Sequence, residues 1–236
     1  MADSYDSIAE IYLDVNVYDK ALLYSEKSLD IKKSIFSENS FEFLKTYILI
    51  GNVYKCQNDY YRALSYYEKT IAIVKESNVQ ENIDIAMCYN NIGNVYISLG
   101  NYDKALENYE NSERIVLQIG REKDSFTAVL YSNIAILYSY KVDYDNSLSF
   151  YNKSLTLSKE LSNDETILTA NVYEGIGAIY CARAEYDNSL FNHEHALQIR
   201  RKLLGENSVD TASSYYAIGC IYREIVKCCG LKFEPA

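Results

Sequence analysis

A single proline, Pro235, and nine glycines are spread through this 236-residue chain. They gather into no linker, and no block of like charge marks a disordered tail, so a chain folded from end to end is expected. No stretch approaches the ~20 consecutive apolar residues of a membrane span. The opening MADSYDSIAEIY has neither the basic nor the apolar part of a secretory leader, which points to a soluble, cytoplasmic chain. Basic residues are outnumbered 33 to 23, a formal charge of −10. So acidic a surface repels phosphate backbones and anionic lipid, and neither nucleic acid nor membrane is expected as a partner.

Chemistry-bearing residues are equally sparse. The only histidines, His193 and His195, stand two apart on a helix and point about 200° away from each other, so they cannot chelate one ion. Of six cysteines, Cys56, Cys88, Cys181 and Cys220 are scattered and Cys228 and Cys229 adjacent, a pattern of reduced thiols filling apolar space. The sequon at Asn152 is then idle for want of a secretory route. GIG at 175–177 lacks the third glycine and the preceding strand of a nucleotide fingerprint, and close helix packing explains it better. No catalytic constellation, metal site or cofactor is expected, and the chain is read as no enzyme.

What is present is a period. Ala9, Gly51, Gly93, Ala135, Gly177 and Gly219 each fall 42 residues after the last, with no insertion. One residue earlier stands Ile8, Ile50, Ile92, Ile134, Ile176 and Ile218. Four before the small residue come Tyr5, Tyr47, Tyr89, Tyr131, Tyr173 and Tyr215, and three after it Tyr12, Tyr54, Tyr96, Tyr138, Tyr180 and Tyr222. Offsets of −4, −1, 0 and +3 lie on one face of a 3.6-residue helix. A second helix follows in each unit, opened by Tyr18, Tyr60, Tyr102, Tyr144 and Tyr186. Three residues on come Ala21, Ala63, Ala105, Ser147 and Ser189, then a leucine. Small residues let the two helices approach while the tyrosines lean across the seam. Links such as GREKDS and GENSVD, rich in Asn, Ser, Asp and Gly, stop one helix and cap the next, and none is long enough to signal a domain boundary.

The reading is one all-α solenoid of about eleven helices over 1–236, with repeats at about 2–43, 44–85, 86–127, 128–169 and 170–211, a partial one at 212–226, and 227–236 as tail or cap. Tyr89, Ile92, Gly93, Tyr96, Ala105 and Tyr109 resemble the tetratricopeptide repeat, and six in-phase copies strengthen the likeness. The period is eight residues longer than the usual ~34, which would add roughly 12 Å of helix per unit. ALQIRRKLLGENSVDTASSYYAIGCIY, residues 196–222, is similar to the kinesin-light-chain and nephrocystin form of the repeat. The resemblance implies antiparallel helix pairs stacked into a right-handed superhelix whose first helices line a concave groove.

That groove is where the resemblance places a protein or peptide partner. The second repeat offers Lys45, Asn52 and Lys55, the third Met87, Asn90, Asn91 and Asn94, the fourth Asn133 and Tyr140, the fifth Asn171. The first contributes Asp3, Asp6, Glu10 and Asp14 as an acidic entrance. Asparagine offers both donors and an acceptor, so a column of it can pair with the main chain of an extended peptide. Asn91 and Asn133 occupy the position that forms an asparagine ladder in some family members. The Lys/Arg pairs of a dicarboxylate clamp are missing at the corresponding positions, which argues against capture of chain-terminal carboxylates. The expected function is a non-catalytic adaptor, binding a peptide or helical segment of a partner. The alternative is a self-associating solenoid, homo-oligomeric through an open C-terminal end, or a segment of a larger repeat protein.

Overall fold

A computed structural model describes residues 1–37, 40–76, 81–161 and 165–228. Residues 229–236, most of the expected tail or cap, lie outside them. Eleven α-helices run through the described residues: α1 (Ala2–Asp14), α2 (Tyr18–Ile35), α3 (Leu44–Cys56), α4 (Tyr60–Glu76), α5 (Ile83–Ser98), α6 (Tyr102–Gln118), α7 (Ser125–Tyr140), α8 (Tyr144–Leu161), α9 (Ile167–Ala182), α10 (Tyr186–Leu204) and α11 (Val209–Cys228). A 3₁₀ turn, Phe41–Phe43, leads into α3. The architecture is the all-α solenoid of stacked hairpins that the period implies. The chain divides into two compact units, Met1–Glu122 and Lys123–Ala236. The division falls in GREKDS, which the sequence reading treats as one of several equal links.

In the first unit α1 pairs with α2, α3 with α4 and α5 with α6, and successive hairpins stack through α2 on α3 and α4 on α5. In the second, α7 pairs with α8 and α9 with α10, α8 packs on α9, and α11 packs on α10. The 42-residue period reappears in the backbone. Residues 16, 58, 100, 142 and 184, in the turns inside the five hairpins, are Asn16, Asn58, Gly100, Val142 and Ala184, and all have positive φ, from 58° to 72°. Each turn closes with a bond back into the first helix, as from the N–H of Val17 to the carbonyl of Tyr12 (2.8 Å) and of Asn101 to Tyr96 (2.9 Å). This is the left-handed close of a helix C-terminus.

The links between hairpins carry a second column. Ser40, Asn82, Asp124, Thr166 and Ser208 each accept a hydrogen bond from a backbone N–H two or three residues on, satisfying donors that a helix start leaves over. Inside the hairpins the small column does what its size implies. A Cβ added at Gly51 or Gly93 would stand 2.5 Å from the buried ring of Tyr67 or Tyr109. The two helices therefore meet with the ring against bare backbone. His193 replaces that tyrosine beside Gly177 and is buried, and burial lowers its pKa.

Candidate partner-binding face

On α3 and α5 the outward polar residues form a connected cluster. The hydroxyl of buried Tyr67, on α4, donates to Oδ1 of Asn52 (2.7 Å), and the same oxygen accepts from Nδ2 of Asn91 (3.0 Å). Oδ1 of Asn91 in turn accepts from Nζ of Lys55 (2.8 Å). One hairpin on, the hydroxyl of Tyr109 donates to Oδ1 of Asn94 (2.6 Å). Burial raises the pKa of both tyrosines, so each hydroxyl keeps its proton and acts as donor. Burial also lowers the pKa of Lys55, whose amine stands against an amide oxygen.

The sequence-named residues thus fall into distinct settings. Asn52, Lys55 and Asn91 are joined in one chain of bonds, and Asn94 repeats the Tyr–Asn contact beside them. Met87 is exposed on α5, whereas Asn90 is enclosed at 6% exposure. Lys45 is exposed and pairs with Glu10 at 3.0 Å. In the second unit Asn133 lies part-exposed on α7 and Tyr140 is exposed at its end. Oδ1 of Asn171 accepts from Nη2 of Arg200 at 2.9 Å.

Asp6 departs from the expected acidic entrance, for its carboxylate is 0% exposed. It accepts from Lys32 Nζ (2.8 Å) and from the hydroxyl of Thr46 (3.0 Å), and Lys32 also reaches Thr46 (3.0 Å). Four repeats later the arrangement recurs. Arg200, buried on α10, pairs with Glu174 and donates to Oγ of Ser214 (2.7 Å). Asp6/Glu174, Lys32/Arg200 and Thr46/Ser214 are each 168 residues apart, four periods. The intervening copies of the cation position are Val74, Val116 and Ser158. Periodicity puts Asp6 on an outer stripe. It could have been recognised only by pairing it with a lysine 26 residues on that breaks a Val/Ser column.

Hairpins of this period, with buried tyrosines against a small column and polar side chains on the outer stripe of the first helices, define a helical repeat module. The chain matches the family model of the tetratricopeptide repeat over residues 1–76, 84–160 and 166–225, and belongs to that family. No curated protein matches it by sequence. Solved structures match it in fold. BtubC (BKLC) from P. vanneervenii has a TM-score of 0.68 at 17% identity, covering 100% of this chain and 94% of that one. A kinesin-light-chain-type protein of nearly identical TPR-like repeats from Podosopora anserina gives 0.69 at 14% identity, covering 85% and 94%. The anaphase-promoting-complex hetero-tetramer Cut9–Hcn1 gives 0.73 at 18% identity, covering 95% of this chain and 37% of that one. The likeness to kinesin-light-chain structures agrees with the 42-residue form of the repeat.

Proposed function

We propose that this chain is a non-catalytic adaptor whose first-helix face takes an extended peptide or a helical segment of a partner protein. Asn52 and Asn94 carry the reading. Buried tyrosine hydroxyls hold their amide oxygens, so what each has chiefly left to offer is its Nδ2 donors, fixed in place at equivalent positions of neighbouring repeats. Fixed donors meet main-chain carbonyls at a lower entropic cost than freely rotating ones. Exposed Met87, about two turns before Asn94 on α5, supplies an apolar anchor, which contributes more to affinity than the polar contacts do. Tetratricopeptide-repeat chains serve in general as protein-interaction scaffolds, and the hetero-tetramer found among the fold neighbours is itself an assembly of protein chains. A cytoplasmic setting belongs to the same proposal; no described helix is long and apolar enough to cross a membrane.

The test compares partners captured from a cell extract by the wild-type chain and by a Met87→Ala, Asn52→Ala, Asn94→Ala variant with an unchanged circular dichroism spectrum. Each captured partner is then titrated by calorimetry. An affinity loss of about tenfold or more in the variant is expected, equivalent to ~1.4 kcal/mol. Equal affinities would remove the face from the mechanism.

One observation favours the second reading, self-association. Among the described residues, Tyr215, Tyr222 and Gly219 on α11 are exposed, and Tyr216 is 74% exposed. No described residue stands within 4 Å of a Cβ placed on Gly219. Molecular mass that rises with concentration in light scattering, and is suppressed by Tyr215→Glu, would favour it over a monomeric adaptor.

A further inference from the structure

Three of the five hairpins share an aromatic motif, a fourth replaces it in part, and one has no counterpart among the described residues. In α1–α2 the ring of Tyr24 lies 5.8 Å from Tyr5 and 5.6 Å from Tyr12. In α3–α4 Tyr66 lies 5.8 Å from both Tyr47 and Tyr54, and in α7–α8 Phe150 lies 5.9 Å from Tyr131 and 5.6 Å from Tyr138. A ring on the second helix thus leans on both tyrosines of the first, and Lys27, Lys69 or Lys153 sits over it. In α9–α10 the equivalent residue is Asn192, but His195 packs 5.2 Å from Tyr173 with Phe191 behind it at 4.3 Å.

The third hairpin has no such ring among the described residues. Asn108 stands at the ring position, and Glu107 and Asn111 stand where α10 has Phe191 and His195. Asn108 turns its amide back along α6 to donate to the carbonyl of Lys104 (2.7 Å), and Asn111 does the same to Glu107 (2.9 Å). Beside Tyr89 and Tyr96 this leaves a cavity of about 610 Å³, with Ile71, Val74 and Ile92 in its lining. Lys104 keeps its amine 5.2 Å from the centre of the Tyr96 ring. Glu81 and Arg114, joined by a two-point ion pair with both bonds at 2.8 Å, brace one side.

We propose that this cavity is a second binding site, which takes the side chain of a phenylalanine or tyrosine presented by a partner protein. The incoming ring occupies the place that Tyr24, Tyr66 and Phe150 fill from within the chain, where offset or tilted ring contacts are favourable. In those three hairpins the occupant is a ring carried by a polypeptide. The cavity exceeds the space of one ring and falls within the ~300–1,000 Å³ of small-ligand sites, so the attached main chain also has room. Its rim offers exposed Lys104 and Glu107 to the polar groups that flank such a ring on a peptide. None of the ten residues of the candidate face lines it, so the two sites are separable by mutation.

The full chain, ¹⁵N-labelled, is titrated with N-acetyl-phenylalanine amide and followed by amide NMR. Saturable shifts at Tyr89, Tyr96 and Asn111 are expected, with a Kd in the low-millimolar range and about fivefold weaker binding of N-acetyl-leucine amide. Asn108→Phe should fill the site from within and abolish the shifts, whereas Asn108→Ala should leave them intact. The proposal is overturned if the wild type shows no saturable shift, if Asn108→Phe binds as well as the wild type, or if Asn108→Phe fails to fold, since the cavity would then not accept a ring. Tighter binding of p-cresol than of N-acetyl-tyrosine amide would also overturn it, pointing to a free aromatic compound instead of a partner's side chain.

Discussion

Val142 holds a φ of 59° in the turn between α7 and α8, in a column otherwise filled by Asn, Gly and Ala. A β-branched residue pays the full steric cost of the left-handed region, roughly 1–2 kcal/mol, while asparagine and glycine pay much less. Its side chain is exposed and has little packing to lose. Val142→Gly should therefore stabilise the protein by about 1 kcal/mol after the added freedom of the unfolded chain is deducted. Urea denaturation measures this, and a loss of stability would show that the valine contributes through some other contact. The turn column was not legible beforehand. Positive φ leaves a sequence signal only where glycine or asparagine takes it, and Val142 and Ala184 conceal it.

The succession of hairpins, by contrast, is readable, and Tyr18, Tyr60, Tyr102, Tyr144 and Tyr186 do open the second helices, because the small column and the two tyrosine columns repeat the same pattern. What periodicity could not show is which polar side chains on a stripe are paired from a neighbouring hairpin. Asp6 reads as an outward carboxylate and is buried against Lys32; Asn52 and Asn94 read as free amides, yet tyrosine hydroxyls hold their oxygens. The aromatic gap at Asn108 is likewise not legible in the sequence, since it shows only where the rings of other hairpins occupy that point. The packing of α2 on α3 gives a direct test of the buried pair. Lys32→Met strands the Asp6 carboxylate and should cost about 3–5 kcal/mol. The combined change Asp6→Ile, Lys32→Val, Thr46→Cys copies the residues that follow one repeat later, Ile48, Val74 and Cys88. It should lie within about 1 kcal/mol of the wild type or above it, since well-packed apolar residues commonly replace a buried ion pair without loss. Thermal or urea unfolding of both variants decides the matter, and a triple variant as weak as the single one would refute it.

At the scale of the molecule, each compact unit carries apolar clusters of its own: Leu29, Phe43, Ile50 and Ile73 in the first, and Ala135, Tyr151, Val172, Ile176 and Ile179 in the second. Stability in a repeat array is close to a sum of repeat and nearest-neighbour contributions. Residues 1–122 expressed alone should accordingly keep a helical circular dichroism spectrum and a cooperative thermal transition; a non-cooperative melt would show that the unit depends on the rest of the chain. The two charged clusters, four periods apart, bear on how such an array changes length over generations. A hairpin copied from the middle brings only the apolar or small residues of that position, and can be inserted among its like without leaving a charge unmatched. A hairpin copied from either cluster carries its carboxylate and cation together, Asp6 with Lys32 or Glu174 with Arg200, and leaves only the hydroxyl of Thr46 or Ser214 on the next helix. Any hairpin can therefore be duplicated without stranding a charge, and a copy of the first would even meet a hydroxyl, since Ser4 stands one period before Thr46.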